Sequence, residues 1–297
     1  MECVGPITKC SYHYVSYPDR FEQGKIRVME LGLGGHTALI TGGASGIGLA
    51  TAHGFCQEGC SVILWDNSPR VEAVALELAT LYGIEVKWKV VDVVEFESVR
   101  AAAESDFNRS QRLEHVVHCA AIGSSKFGFP FTNLKPDDWK RTLEVNIMGM
   151  VNVAHAVTPH LMKSKSGSVV FLASVAGQMG SQTDPPYSAS KAANINFAQC
   201  MAKDLAGHGI RVNSVCPGMV KTPLNRSVWQ SWNDQAEESE RISYEEWAER
   251  KIKSVVPLGR WQTPEDIASM IVFLSSERAH NVTGQTINVD GGFVMHW

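Results

Sequence analysis

A tyrosine and a lysine stand four residues apart in the sequence, at Tyr187 and Lys191. On a helix these two side chains share a face. A free tyrosine hydroxyl has a pKa of about 10, which is too high for a base at neutral pH. A lysine cation within a few ångströms favours the phenolate and lowers that pKa by about 1–3 units. The pair therefore predicts a proton donor and acceptor suited to alcohol and ketone chemistry.

Two more polar residues extend the pattern, which matters because a tyrosine and a lysine at this spacing are also a routine pair on a helix surface. Ser174 ends the apolar run 167–174, and strand ends face the ligand crevice of an open α/β sheet. Asn146 lies in a long predicted helix before that run. Together with a glycine-rich loop upstream, these residues predict a catalytic site.

The glycine-rich loop follows the first apolar run, as Thr-Gly-Gly-Ala-Ser-Gly-Ile-Gly over residues 41–48. Its glycines at 42, 46 and 48 allow a tight turn and a close approach of backbone N–H groups to a pyrophosphate. The N-terminus of the helix that follows adds positive potential. The loop therefore predicts a dinucleotide site between the first strand and the first helix.

An acidic residue at the end of the next apolar run indicates which dinucleotide binds. Asp66 lies 18 residues after Gly48, and a carboxylate there accepts both ribose hydroxyls of adenosine and repels a 2′-phosphate. The glycine loop contains no basic residue, although Arg70 is close in sequence and keeps NADP as a second candidate. We expect NAD as the cofactor, with NADP less favoured.

Short apolar runs alternate with amphipathic stretches from Leu31 onward, which is the pattern of βαβ units. The predicted strands cover residues 36–41, 61–65, 85–91, 114–121, 167–174, 210–216 and 285–289, and the predicted helices after the first cover 70–82, 95–107, 136–162, 186–206 and 264–276. Right-handed crossovers between such strands give an α/β fold. We expect a single doubly wound Rossmann domain over 31–297, with a seven-stranded, mainly parallel sheet and helices on both faces.

Two segments fall outside this alternation. Residues 219–256 are acidic and rich in tryptophan, and we expect a helical substrate lid there. Together with the loop 123–127 it should form the walls of the substrate pocket, and Trp229 and Trp232 either stack on the substrate or form the core of the lid. The N-terminal extension 1–30 has no apolar signal-peptide core. It is either a loose extension, an arm that packs on a neighbouring surface, or the result of an upstream start codon before Met29.

With these residues in place, the chain resembles the short-chain dehydrogenase/reductase family from about Leu31 to Gly292. The match includes the glycine loop, the tetrad of Asn146, Ser174, Tyr187 and Lys191, a Pro-Gly segment over 216–222 and the C-terminal stretch 284–292. The resemblance implies that Tyr187 is the general acid and base, that Lys191 lowers its pKa and holds the nicotinamide ribose, that Ser174 binds the substrate oxygen, and that Asn146 holds a water. It implies that the cofactor is bound by Gly42, Ser45, Gly46, Ile47, Gly48, Asp66, Asp92, Val93, Cys119, Ala120, Ala121, Tyr187, Lys191, Pro217, Gly218, Val220 and Thr222.

The fourth strand departs from the family pattern. The family's Asn-Asn-Ala-Gly reads His118-Cys119-Ala120-Ala121 here. The first Asn normally ties the central strands together, so His118 must do so in another way. Ala121 adds a methyl group near the cofactor ribose. Because the tetrad is intact, we expect altered packing and weaker cofactor affinity but not a loss of function.

Composition excludes several other classes of protein. The 297 residues carry 27 basic and 31 acidic side chains, a net charge of −4, which removes the dense basic face that nucleic acid requires. No stretch reaches the roughly 20 apolar residues of a membrane span. Seven cysteines without a Cys-x-x-Cys pair, and ten histidines without a His-Glu-x-x-His pattern, predict no metal site and a reducing, cytoplasmic location.

Three functions compete at this point. The first is an NAD-dependent dehydrogenase or reductase that acts on a secondary alcohol or its ketone, of the sugar or polyol, hydroxyacyl or cyclic class. The second is a catalytically silent nucleotide-binding sensor on the same fold, which would have no need of Tyr187 and Lys191 together. The third is a sugar-nucleotide epimerase or dehydratase, whose C-terminal substrate domain is usually larger. The resemblance also implies a homotetramer, and the apolar tail 293–297 is expected to form part of its contact surface.

Overall fold

Seven parallel strands form one sheet in the order β3-β2-β1-β4-β5-β6-β7 in the computed structural model, which describes residues 30–107, 112–181 and 183–296. The strands are β1 Thr37–Thr41, β2 Ser61–Asp66, β3 Val86–Val90, β4 His115–His118, β5 Gly167–Leu172, β6 Ile210–Pro217 and β7 Thr286–Val289. Every strand pair is parallel, so the expected "mainly parallel" sheet is parallel throughout. The order reverses between β1 and β4, and the ligand crevice of such a sheet opens at that point.

Helices connect the strands and cover both faces. They are α1 Gly46–Gln57, α2 Arg70–Tyr82, α3 Phe96–Asp106, α4 Pro136–Leu143, α5 Gly149–Ser164, α6 Pro185–Leu205, α7 Pro223–Gln235, α8 Tyr244–Val255 and α9 Pro264–Ser275. The helix predicted over 70–82 is confirmed, and the other predicted elements agree with the structure to within a few residues at each end. Thr263 caps α9 as its sequence suggests, since its side chain accepts a hydrogen bond from the Asp266 N–H.

The single helix predicted over 136–162 is wrong. A π-helical segment, Glu144–Met148, separates α4 from α5. Periodicity does not reveal such a segment, because five residues make a single turn, which is too short to show a period of its own. Its consequence is local, since Asn146 lies inside it and is re-aimed toward the neighbouring loop.

Each face of the sheet has its own hydrophobic core. Side chains alternate along a strand, so Leu39 of β1 packs in one core whereas Ala38 and Ile40 pack in the other. The first core contains residues of α3, α5 and α6, and the second contains residues of α1, α2 and α9. This double coverage explains why β1, β2, β4 and β5 are apolar at consecutive positions.

The lid expected over 219–256 consists of α7, a short 3-10 turn at Glu238–Glu240, and α8. Trp229 settles one of the open alternatives, because its indole N–H donates to the Ile242 carbonyl at 3.2 Å and its ring packs edge-on against Tyr244. It is therefore part of the lid core. Among the described residues, no helix is long and apolar enough to cross a membrane. The extension 1–29 and Trp297 lie outside the described residues.

Candidate active site

A cleft of about 930 Å³ opens at the carboxyl ends of the strands, between the sheet and the lid. Every residue predicted to contact the cofactor lines this cleft, and so does Ser174. Asn146 is the one member of the predicted site that does not line it. The cleft therefore unites the glycine loop at one end with Tyr187 and Lys191 at the other.

The glycine loop forms a cradle whose shape requires glycine at two positions. A Cβ atom on Gly48 would lie 2.0 Å from the Gly42 carbonyl oxygen, so any side chain there would break the turn. Gly46 has φ +53, and a Cβ atom built on it meets only the Thr222 methyl group, at 4.0 Å. The space between Gly46 and Thr222 is thus open to a ligand, next to the N-terminus of α1. These residues fit the pyrophosphate of a dinucleotide.

Asp66 ends β2 beside this loop and fixes its conformation. One carboxylate oxygen accepts the Ala44 N–H at 3.0 Å, and the other accepts the Ser68 N–H at 2.9 Å. Each oxygen keeps further acceptor capacity for a ligand hydroxyl. Asp66 and Asn67 line the cleft, whereas Arg70 is exposed on the first turn of α2 and does not.

Ser174 and Tyr187 meet at the other end of the cleft. Ser174 follows β5 and caps a 3-10 turn, where its hydroxyl oxygen accepts the Ala176 N–H at 3.1 Å. Its own hydrogen is left to donate, and it hydrogen-bonds the Tyr187 hydroxyl. Tyr187 is held at the start of α6 because its N–H donates to the Asp184 carboxylate at 3.3 Å.

Lys191 lies one turn further along α6 and is buried. Its Nζ is 5.5 Å from the centre of the Tyr187 ring and donates to the Leu172 carbonyl at 2.6 Å. The turn of Gly177 packs directly on this part of α6, where a Cβ atom would lie 2.6 Å from the Lys191 carbonyl carbon. The helical pairing predicted from the four-residue spacing is therefore present.

The pKa values at this end of the cleft correct one expectation. Burial raises the pKa of the Tyr187 hydroxyl, and the hydrogen bond from Ser174 only partly opposes this. Burial also lowers the pKa of the Lys191 ammonium to about 8. The expected lowering of the tyrosine pKa by the lysine is wrong for this arrangement, since desolvation outweighs every favourable interaction at Tyr187.

Asn146 acts from behind the cleft. Its amide nitrogen donates to the Ile122 carbonyl at 2.8 Å and to the Ser190 hydroxyl at 2.9 Å, and its oxygen accepts the Ile122 N–H at 2.8 Å. Both amide hydrogens are thus used to join the loop after β4 to α6. One lone pair of the oxygen is left for the water that the resemblance predicts.

His118 replaces the expected asparagine of β4 and still links the central strands. Its Nδ1 lies 2.9 Å from the Thr41 hydroxyl of β1, and that hydroxyl also accepts the Ala120 N–H at 3.3 Å. Burial, with a smaller effect of Lys191, lowers the pKa of His118 to about 3, so the ring is neutral at physiological pH. Its Nε2 has no hydrogen-bond partner among the described residues.

The lid lines the cleft as predicted, through Asn225, Val228, Lys251 and Val255. The sequence did not predict the wall residues that come from the turn after β5 and from the C-terminal tail, which are Met179, Thr183, Asp184 and Phe293. The expectation that the loop 123–127 forms a pocket wall is wrong, because Ile122 lines the cleft and the loop itself does not. That loop is tied to its surroundings instead, as the Phe127 N–H donates to the Ser231 hydroxyl of α7 at 2.7 Å.

Cys119 lines the cleft, whereas Cys56, Cys60 and Cys216 do not. Cys56, Cys60 and Cys216 are buried free thiols, and burial raises the pKa of each to about 12. They are the small buried side chains that the sequence predicts. Across the described ranges, no group of three or more histidine, cysteine or acidic residues is arranged to hold a metal ion.

Known proteins resemble this chain in sequence and in fold. The family model described as enoyl-(acyl carrier protein) reductase matches residues 42–294. The 3-oxoacyl-(acyl-carrier-protein) reductase of Thermotoga maritima is 35% identical over 264 residues, which are 89% of this chain and 99% of that protein. The L-sorbose reductase of Gluconobacter frateurii, in complex with NADPH and L-sorbose, matches with a TM-score of 0.81 and 28% identity over 91% of this chain and 100% of its own. Carveol dehydrogenase of Mycobacterium avium, in complex with NAD, matches with a TM-score of 0.79 and 25% identity over 88% and 98%.

Proposed function

Since the chain belongs to the short-chain dehydrogenase/reductase family and is an NAD(P)-dependent oxidoreductase, we propose that it interconverts a secondary alcohol and a ketone, with Tyr187 as general acid and base. One observation carries the proposal. The Tyr187 hydroxyl, hydrogen-bonded by Ser174, lies in the same cleft as the glycine loop and one helical turn from Lys191.

The roles of the chain's own residues follow from their positions. In ketone reduction the Tyr187 hydroxyl gives its proton to the substrate oxygen, and in alcohol oxidation it takes that proton back. The Ser174 hydroxyl, which hydrogen-bonds the Tyr187 hydroxyl, can rotate to donate to the same oxygen, where negative charge develops in the transition state. A nicotinamide cofactor in the cleft would supply or accept the hydride. Lys191 would hold the hydroxyls of its ribose, as the family resemblance implies.

We propose NAD rather than NADP as the preferred cofactor. The support is Asp66, whose carboxylate faces the cleft beside the glycine loop, and the exposed position of Arg70 outside the lining. A 2′-phosphate next to Asp66 would bring like charges together, and the glycine loop contains no basic residue to offset them. The relatives do not decide the matter, because one is in complex with NADPH and another with NAD.

A catalytically silent nucleotide sensor is the alternative function. It is disfavoured because a sensor needs no proton donor at the far end of the cleft, yet Ser174, Tyr187 and Lys191 are held there by specific hydrogen bonds. We place the enzyme in the cytoplasm, as its buried free thiols suit a reducing compartment.

The proposal is tested by assaying the purified protein with NAD and NADP against secondary alcohols, and with the reduced cofactors against the matching ketones. Formation or loss of reduced nicotinamide reports the reaction. We expect turnover in both directions with at least one alcohol and ketone pair. Cofactor binding without turnover across sugar, hydroxyacyl and cyclic alcohols would favour the sensor.

A further inference from the structure

Three of the basic side chains that line the cleft differ in what they contact. Arg141 pairs with Asp92 at 3.4 Å and with Glu144 at 2.7 Å. Lys191 donates to the Leu172 carbonyl. Lys251, from the lid helix α8, is the third, and it makes no ion pair with any carboxylate in the described part of the chain.

Lys251 is placed in the cleft wall by its own helix. Its Nζ lies 4.7 Å from the centre of the Trp247 ring, one turn earlier on α8, and Trp247 in turn stacks on Tyr244. The lysine is only partly exposed, and burial lowers its pKa. An ammonium group that is desolvated without an anionic partner costs free energy, which an anionic ligand would recover.

Other residues that line the cleft indicate the chemistry of the rest of the ligand. Asn225 of α7 also lines the cleft, and because its amide oxygen accepts the Tyr244 hydroxyl at 3.0 Å, its amide nitrogen serves as a donor. Val228, Val255 and Phe293 provide apolar parts of the cleft wall. A molecule that fits would have an anionic end, an apolar or neutral middle and a carbinol or carbonyl carbon.

We propose that Lys251 binds a carboxylate of the substrate, so that the enzyme acts on hydroxy acids and their oxo acids rather than on neutral alcohols. This inference rests on the proposed function and names its substrate class. A carboxylate brings one negative charge to one cation. A phosphate monoester would bring a second negative charge toward a cleft wall that already contains the buried Asp184 carboxylate.

The test compares linear hydroxy acids of different chain length with their methyl esters and with the corresponding hydroxyalkyl phosphates. Three variants are assayed beside the parent: Lys251→Gln, Lys251→Arg and, as the matched control, Lys253→Gln. Lys253 is exposed on the same helix and pairs with Glu249 at 2.8 Å, so its replacement changes the charge of α8 without changing the cleft.

We expect the parent to prefer an acid over its ester and over the phosphate. Lys251→Gln should reduce the acid-to-ester ratio of kcat/KM by about 10- to 100-fold, mainly through KM, because a charge-assisted hydrogen bond is lost. Lys251→Arg should restore much of the ratio, and Lys253→Gln should keep the parent's ratio. A ratio unchanged by Lys251→Gln, or a parent that prefers esters or phosphates, overturns the inference while leaving the proposed function intact.

If no alcohol is turned over, calorimetry tests the carboxylate site at Lys251 separately from the proposed oxidoreductase activity. Titration of the same acids and esters into the parent and Lys251→Gln measures binding directly. Tighter binding of an acid that is lost in Lys251→Gln supports the carboxylate site even where the proposed oxidoreductase activity fails. Equal binding of acid and ester to the parent overturns the site.

Discussion

At the scale of single residues, some side chains of the cleft can exchange a proton or a hydrogen bond with a substrate, whereas others hold neighbouring elements in position. The Ser174 hydroxyl donates to the Tyr187 hydroxyl, and the Tyr187 N–H donates to the Asp184 carboxylate. Asn146 donates both amide hydrogens, one to the Ile122 carbonyl and one to the Ser190 hydroxyl. It therefore acts first as a structural link, and its contribution to proton movement is limited to the remaining lone pair of its oxygen.

The choice of cofactor depends on one carboxylate. Asp66→Ala removes the acceptor for the adenosine ribose hydroxyls and the repulsion of a 2′-phosphate. We expect the affinity for NAD to fall by about 10-fold or more for each charge-assisted hydrogen bond that is lost. The difference in affinity between NAD and NADP should therefore narrow. Titration of both cofactors into both proteins checks this. Tighter binding of NADP than of NAD to the parent contradicts it.

The raised pKa of Tyr187 sets the direction of the pH dependence. The hydroxyl stays protonated at neutral pH, so the fraction available as a base grows as the pH rises. We expect kcat/KM for alcohol oxidation to increase through the alkaline range, and ketone reduction, which needs the protonated form, to remain level until strongly alkaline pH. Rate profiles in both directions check the sign. Oxidation that reaches its plateau below neutral pH would show that the tyrosine pKa is low.

At the scale of elements, two histidines of β4 are buried where the sheet is most central. His118 bridges to Thr41, and His115 lies 2.9 Å from both His36 and Ser168. Burial lowers the pKa of each to about 3. Both rings are neutral in the folded protein, so protons bind the unfolded chain first as the pH falls below 6.5.

This arrangement predicts acid sensitivity. The contribution of the two neutral rings to the free energy of unfolding is fully present above the unfolded pKa of 6.5. It is lost as the pH falls toward 3, by about 1.4 kcal/mol per pH unit for each histidine. His118→Asn keeps a side chain that hydrogen-bonds Thr41 and removes one titrating group. Urea unfolding at several pH values should show a shallower acid slope for His118→Asn than for the parent. Identical slopes would mean that His118 does not carry the effect.

Most strands and helices lie where the sequence predicts them. Strand and helix positions were predictable because β1 and β2 are continuous apolar runs and α2 has a clear 3.6-residue period. The π segment at Glu144–Met148 was not predictable, since its five residues make a single turn that is too short to show its own period. The tetrad and the glycine loop were predictable from residue type and spacing. That Lys251 and Phe293 in particular line the cleft was not predictable, because only the folded lid and tail bring these two side chains there.

At the scale of the whole molecule, the C-terminal tail corrects an expectation about assembly. Phe293 lines the cleft, and Phe293 and Val294 pack against Ala173, Val175 and Cys216 of the same chain. Phe293 therefore forms part of the protein's own cleft wall, and among the described residues of the tail Met295, at 73% exposure, presents an apolar side chain outward. Apolar side chains at Phe129, Phe131 and Met148 are also exposed, by 51%, 74% and 50%.

We still propose a homotetramer, which the family resemblance implies and which these exposed apolar side chains support. Light scattering coupled to size exclusion at micromolar concentration should give four times the chain mass of 32.5 kDa. Phe131→Asp places a charge at the most exposed of these positions and should shift the protein toward smaller assemblies. A stable monomer of the parent protein would contradict the proposal.

At this scale, one cleft joins a dinucleotide site to a proton donor. The variant Tyr187→Phe tests this arrangement most directly. This change removes the hydroxyl and keeps the ring, so packing beside Lys191 and Ser174 is preserved. The measurement is turnover and cofactor affinity of the variant and the parent on a substrate that the parent converts. We predict that turnover falls by about 10²–10⁴-fold while cofactor affinity stays nearly unchanged. Full activity of Tyr187→Phe would contradict the account and favour another proton donor.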